Sequence, residues 1–169
     1  VMAPIPSFPD AIYILAETPG QGAKGSTIYR GEERYEWHSL WRSGLNNAWT
    51  NLSANLPLTD EQRGDFYSQG GYDLLVRVSP HDSDVVLVGG TNLYVSTDGF
   101  STPTKWNWIG GYWKPTPSFD KYSAYANHHP DQHYAFFHPT KPTSLVSLND
   151  GGVYRTENVL APTVEWTDL

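Results

Sequence analysis

Two stretches of this sequence lie over one another. Residues 74–106 (LLVRVSPHDSDVVLVGGTNLYVSTDGFSTPTKW) match residues 134–166 (YAFFHPTKPTSLVSLNDGGVYRTENVLAPTVEW) in pattern, with Pro80 on Pro139, Tyr94 on Tyr154 and Trp106 on Trp166. The offsets are 59, 60 and 60 residues, so one single-residue indel restores the register. An internal repeat is a severe constraint, because each copy is one supersecondary unit that must bury its apolar face against a neighbour. A third, fainter copy aligns 11–17 as a second strand, 26–33 as a third and 48–53 as a fourth. It sets Tyr29 on Tyr94 and Trp49 on Trp106, with 34–47 as an insertion.

Each unit reads as four short strands. The apolar segments 11–16, 27–30, 74–78, 85–88, 92–96, 134–138, 143–148 and 152–156 are bounded by Gly, Pro, Asn or Asp, the punctuation expected between strands. Helical periodicity is confined to a weak stretch near 59–64. Charged residues make up only 17% of the chain while Gly and Pro number 15 and 13, which favours strands and turns over charge-laced helices. The expected fold class is all-β. Four strands per repeat is the make-up of a propeller blade, which predicts a partial β-propeller of about three four-stranded antiparallel blades within one domain, 1–169. The units span about 11–56, 72–110 and 133–169, with long loops at 57–71 and 111–132. Loops of that length usually carry function or make interfaces. A closed propeller needs about four blades or more, and the first unit lacks its first strand on this reading. The chain is therefore expected to be a fragment, or to be completed by further blades or other protein chains at its open edges.

The formal charge of −7 leaves no basic stripe for nucleic acid or an anionic membrane. No apolar run approaches a membrane span. Residues 1–10 (VMAPIPSFPD) do not read as a signal peptide, since three prolines interrupt them and no basic region precedes them. With no Cys, disulfides and thiolate metal sites are excluded.

Ser96-Thr97-Asp98-Gly99-Phe100, followed by Trp106, resembles the Asp-box, the bacterial neuraminidase repeat of sialidases, sortilin-like propellers and xyloglucanase-type glycoside hydrolases. Gly99 directly after Asp98, and Trp106 eight residues beyond it, depart from the family spacing. His128-His129-Pro130-Asp131-Gln132-His133, then Phe137-His138-Pro139, then Asn149-Asp150-Gly151-Gly152-Val153-Tyr154, resembles a run in sortilin- and xyloglucanase-like propellers. Such propellers are common in exported Bacteroidota proteins. The resemblance implies a secreted or cell-surface module that binds protein or glycan and assembles with other blades, without catalysis. The alternative it implies is a glycoside hydrolase whose site is shared with other blades. No Arg sits in the setting a sialidase uses.

Four groups of residues could carry function. Ser96, Asp98, Gly99 and Trp106 are expected to be structural parts of the Asp-box turn. His129, Asp131 and His133 would share one face of an extended strand; that face could hold a divalent metal, bind a ligand or simply bond backbone groups. The structural reading is preferred, and neither a metal nor a cofactor is expected. Asp131 and Asp150 are the carboxylate pair a hydrolase would use, although Asp150 also suits the tight turn before Gly151-Gly152. Trp108, Tyr112 and Trp113, with Tyr35, Trp37 and Trp41, are aromatics outside the strand pattern. They could stack on polysaccharide, anchor a protein interface or fill space between blades. Trp108, Tyr112, Trp113, His129 and His133 are the expected ligand-binding set.

Overall fold

The computed structural model describes residues 1–29, 32–44, 48–59, 64–112 and 124–169. The fold is all-β, with thirteen strands among the described residues. Three antiparallel sheets follow one another along the chain. The second contains β6 (Leu75–Val78), β7 (Val86–Gly89), β8 (Leu93–Ser96) and β9 (Trp106–Gly110) in plain sequential order. The third repeats that order with β10 (Gln132–Phe137), β11 (Leu145–Asn149), β12 (Gly152–Thr156) and β13 (Thr167–Asp168). The repeated aromatics hold equivalent places: Tyr94 pairs with Val88 and Tyr154 with Ser147, each on the third strand of its sheet.

The first sheet differs from its expected form. It contains β1 (Met2–Ile5), β2 (Phe8–Glu17), β3 (Ala23–Tyr29), β4 (Glu32–Ser43) and β5 (Trp49–Asn51), ordered β1-β2-β4-β3 with β5 also on β4. A first strand is therefore present, starting at Met2 rather than missing ahead of residue 11. Pro4 hid it, since proline is confined to strand edges, and β1 is such an edge. Residues 34–43 of the expected insertion are strand. The outer part of β4, residues 38–42, takes the third-strand place beside β2, so Tyr29 is not the counterpart of Tyr94. Ser43 pairs with Trp49 as Ser96 pairs with Trp106, and the expected Trp49 register holds. By the same register Trp41 stands where Tyr94 stands.

The sheets stack through alternating apolar side chains. One core joins sheets one and two around Tyr13, Leu15, Leu40, Val76, Val88 and Phe100. A second joins sheets two and three around Leu75, Leu87, Ile109, Ala135, Leu145 and Trp166. Sheet two is thus buried on both faces, which is why β6, β7 and β8 read as almost unbroken apolar runs. Its first strand, β6, packs against both β1 and β10. Among the described residues no further sheet packs on the faces of sheets one and three turned away from these cores. Met2 on the first, and Tyr134, Phe136 and Val153 on the third, are exposed.

The segment 64–73 crosses from sheet one to β6 and is fastened by two acidic side chains. Asp65 accepts from the Ser26 and Thr59 amides at 3.0 and 2.7 Å. Glu36 accepts from the Ser68 and Gly70 amides at 2.7 and 2.5 Å and from the Ser68 hydroxyl at 3.0 Å. The crossing is so close that a Cβ on Gly25 would meet the Phe66 carbonyl oxygen.

Candidate functional site

The segment that Glu36 fastens delivers three side chains to the N-terminal end of β6. Gln69, Tyr72 and Asp73 meet residues 131–133, at the start of β10, and Asp150, in the β11–β12 turn. Gln69 and Asp131 both adopt left-handed backbone, at φ 53° and 66°, and Gln69 Nε2 donates to Asp73 Oδ2 at 2.9 Å and Asp131 Oδ1 at 2.7 Å. Two carboxylates therefore share one amide donor. His133 Nε2 bonds Asp150 Oδ1 at 2.5 Å, while its Nδ1 stands 3.8 Å from Asp73 Oδ1. The Tyr72 ring, largely exposed, meets the His133 ring edge-on at 5.4 Å.

Asp73 is fully buried, and no hydrogen bond reaches its Oδ1. Burial, reinforced by the neighbouring charge of Asp131, pushes its carboxyl up to about 7 from an ordinary 3.8. Burial, then the charge of Asp150, raises Asp131 as well. This end of the molecule thus holds a carboxyl whose ionisation is disfavoured, beside carboxylates that repel one another. Groups so displaced are characteristic of functional sites.

Each expected site residue can now be located. Asp131, Asp150 and His133 do come together. His129 does not join them as a ligand: its Nδ1 lies 2.9 Å from the Pro130 carbonyl oxygen. The expected common face of His129, Asp131 and His133 is not formed, because Asp131 is left-handed and β10 begins only at Gln132, with a bulge before Tyr134. Among the described residues no three His, Asp or Glu side chains are arranged to hold a metal ion. His128, its neighbour, is buried against Trp166 and Tyr154, ring centroids 4.2 and 5.3 Å away, and desolvation pushes it down to about 3. It is a neutral core histidine.

The aromatics divide. Trp108 packs between the sheets, touching both cores, and donates its indole N–H to the Gly110 carbonyl at 2.6 Å. Tyr112 is half-buried, and its amide donates to Asn92 Oδ1 at 2.6 Å. Trp113 lies outside the described residues. Tyr35, Trp37 and Trp41 lie on strand β4 rather than in a loop, and Lys24 Nζ sits 3.7 Å above the Tyr35 ring.

At the other end of sheet two, Ser96, Asp98, Gly99 and Trp106 build a closed turn. The Ser96 hydroxyl donates to Asp98 Oδ1 at 2.9 Å and accepts the Phe100 amide at 2.8 Å, while Thr102 donates to Asp98 Oδ2 at 2.7 Å. Slight desolvation opposes ionisation of Asp98, but the Thr102 and Ser96 hydroxyls outweigh it and hold the carboxyl below its usual range. Gly99 and Phe100 turn the chain at φ 64° and 57°, and Trp106 donates its indole N–H to Pro103 while meeting the Tyr94 ring edge-on at 5.6 Å. A cavity of about 280 Å³ near this end is lined by Ile5, Phe8, Tyr13, Arg42 and Asp84.

Sequence reasoning missed Asp73 and Gln69. No local pattern marks them, because the site is made from three segments far apart in the chain. The one signal available was Gln69-Gly70-Gly71 before an apolar strand, a turn capable of left-handed backbone. No protein-family model matches the chain, no curated protein matches it in sequence and no solved structure matches its fold.

Proposed function

We propose that the chain is part of an Asp-box β-propeller, a secreted or cell-surface module that binds protein or glycan and assembles with further blades. The observation that carries this reading is the pair of open sheet faces. Among the described residues sheets one and three each present a core-like apolar face that no other sheet covers, Met2, Ile14 and Trp41 on one and Tyr134, Phe136 and Val153 on the other. Exposed apolar patches of this kind mark interfaces, and four-stranded sheets stacked through their first strands would continue as further blades. The closed Ser96–Asp98 turn and the Asn149–Tyr154 run support the Asp-box assignment and, with it, export.

Sedimentation velocity and binding of an environment-sensitive apolar dye would test the assembly. The chain on its own is expected to self-associate and bind dye, with Phe136→Asp reducing both. A compact monomer that binds no dye would overturn the reading.

A second reading, a glycoside hydrolase, is favoured by one observation: a buried carboxyl raised to about 7 lies beside Asp131 and Asp150. Hydrolysis needs one protonated acid and one ionised carboxylate. Turnover of a polysaccharide panel that Asp73→Asn abolishes would support it; no turnover by a longer product carrying the adjoining blades would remove it.

A further inference from the structure

We infer that the end of the molecule formed by Asp73, Asp131, His133 and Asp150 is a binding site for a primary ammonium group, such as a lysine side chain or an amino sugar. This holds whether or not the site hydrolyses anything, and it does not depend on how many blades the propeller has.

The argument begins with charge. Three carboxyl groups converge from the 64–73 segment, the start of β10 and the β11–β12 turn. Among the described residues the only ion-pair partner of Asp73 or Asp150 is His133. The groups that act on Asp73 are Asp131, Asp150 and His133, with Gln69 as a hydrogen-bond donor. Those acting on Asp131 are Asp150, His129, His133 and again Gln69. Among the described residues no Lys or Arg is one of them. A buried carboxylate without a cation is expensive, yet Asp73 is fully buried beside the partly buried Asp131 and the exposed Asp150.

The second observation is Asp73 Oδ1, an acceptor on a fully buried side chain, which no hydrogen bond reaches. Buried acceptors are nearly always paired. Its Oδ2 is held by Gln69, so the carboxyl cannot turn away without losing that bond. Oδ1 faces His133 Nδ1 across 3.8 Å, and the His133 ring is itself one-third exposed. A cation beside Asp131 and Asp150 would therefore act on Asp73 through little solvent.

The third is the chemistry of the rim. Asp131 and Asp150 supply acceptors, and Tyr72 offers an exposed ring next to His133. An ammonium carries three donors and no acceptor, and aromatic faces attract it. A bare divalent ion needs several oxygens at fixed short distances, and no three ligands are so placed among the described residues.

Binding of a cation favours the ionised form of Asp73, so it releases a proton near neutral pH. The experiment is calorimetric titration of the chain with Nα-acetyl-lysine amide, with glucosamine and with calcium chloride, at pH 5.5 and pH 8 in two buffers of different ionisation enthalpy. Nα-acetyl-lysine amide, whose ammonium is charged at both pH values, is expected to bind about tenfold more tightly at pH 8, with proton release at the lower pH. The preferred probe identifies the source as peptide or glycan. Asp131→Asn and Asp150→Asn are each expected to weaken binding about tenfold, and Asn at 131 keeps the left-handed backbone accessible. Asp73→Asn should weaken the pH dependence, leaving the share carried by His133, while the circular dichroism spectrum stays unchanged. Absence of binding by both ammonium probes, binding untouched by Asp131→Asn and Asp150→Asn, or binding of calcium alone would overturn the inference.

Discussion

Glu36 and Asp73 are two buried acidic side chains that touch the same ten-residue segment, and they are treated in opposite ways. Glu36 receives the Ser68 and Gly70 amides and the Ser68 hydroxyl, with His38 close by at 3.4 Å. Desolvation would raise its pKa, but His38 and these donors outweigh it and hold it below the usual value. Asp73 receives one side-chain donor on one oxygen and faces two other carboxylates. The same burial thus yields an anion in one place and a reluctant acid in the other. What differs is the supply of donors, and a fold able to surround Glu36 so fully has left Asp73 short at the end where Asp131, His133 and Asp150 gather.

The comparison breaks most readily at Glu36. Replacing it with Ala leaves the buried Ser68 amide and hydroxyl without their acceptor and frees the Gly70 amide to water, and is expected to destabilise the chain by about 3 kcal/mol. Urea denaturation with an unchanged m-value would register this as a lower midpoint. A loss under about 1 kcal/mol would mean that the segment is held by packing at Phe66 and not by the carboxylate.

The opposite sign is expected at Asp73. Its folded pKa lies above its unfolded one, so the native state is favoured when the group is protonated. Stability from this group is full below about pH 4 and is lost as pH rises through 7. Asp73→Asn, neutral at every pH, should therefore raise stability at pH 8 by about 2 kcal/mol, within a ceiling of roughly 1.4 kcal/mol per pKa unit. At pH 4 it should change little. Thermal unfolding of both proteins at the two pH values checks this; equal midpoints at pH 8 would show that Asp73 pays no penalty for ionising.

The acid limb of the profile belongs to the other member of the pair. Glu36 has its folded pKa below its unfolded one, so the stability it adds is present above about 4.5 and lost as pH falls through the lower folded value. Glu36→Gln should flatten that limb and leave the change between pH 4 and 8 intact. Protection of the Ser68 and Gly70 amides in hydrogen exchange, followed with falling pH, would locate the effect.

How far the sequence reported this contrast depends on the range over which each feature is encoded. The third-strand tyrosines and the Trp106 and Trp166 positions were legible because a repeat prints the same register twice. Sheet one resisted because its β3–β4 hairpin carries Glu32, Glu33, Arg34, Glu36 and His38, a polar strand whose inner face meets the polar 64–71 segment instead of an apolar core. Ordinary strand periodicity is masked where the buried positions, Glu36 and His38, are polar and the aromatics Tyr35 and Trp37 fall on the opposite face. Asp131 and Asp150 were legible as acids next to turns. Asp73 was not, since its displaced pKa comes first from burial and then from carboxylates 58 and 77 residues away, and only the tertiary fold supplies either.

The smallest test concerns a carboxylate in the turn between β8 and β9. Asp98 is only partly covered, and its oxygens are met by Ser96 and Thr102. It should behave as a mild version of Glu36, an anion kept ionised by local donors and remote from any ligand. Thr102→Ala removes one of those donors and leaves Asp98 accessible to water, so the expected cost is about 0.5 kcal/mol, measured as a small fall in the urea midpoint. Because water can replace the lost hydroxyl, the change should shrink further in Thr102→Ser, which restores a donor. If Thr102→Ala cost as much as Glu36→Ala, exposure would not be what separates the two sites. The stiffness of the Gly99–Phe100 turn, with its two left-handed residues, would then be the controlling factor.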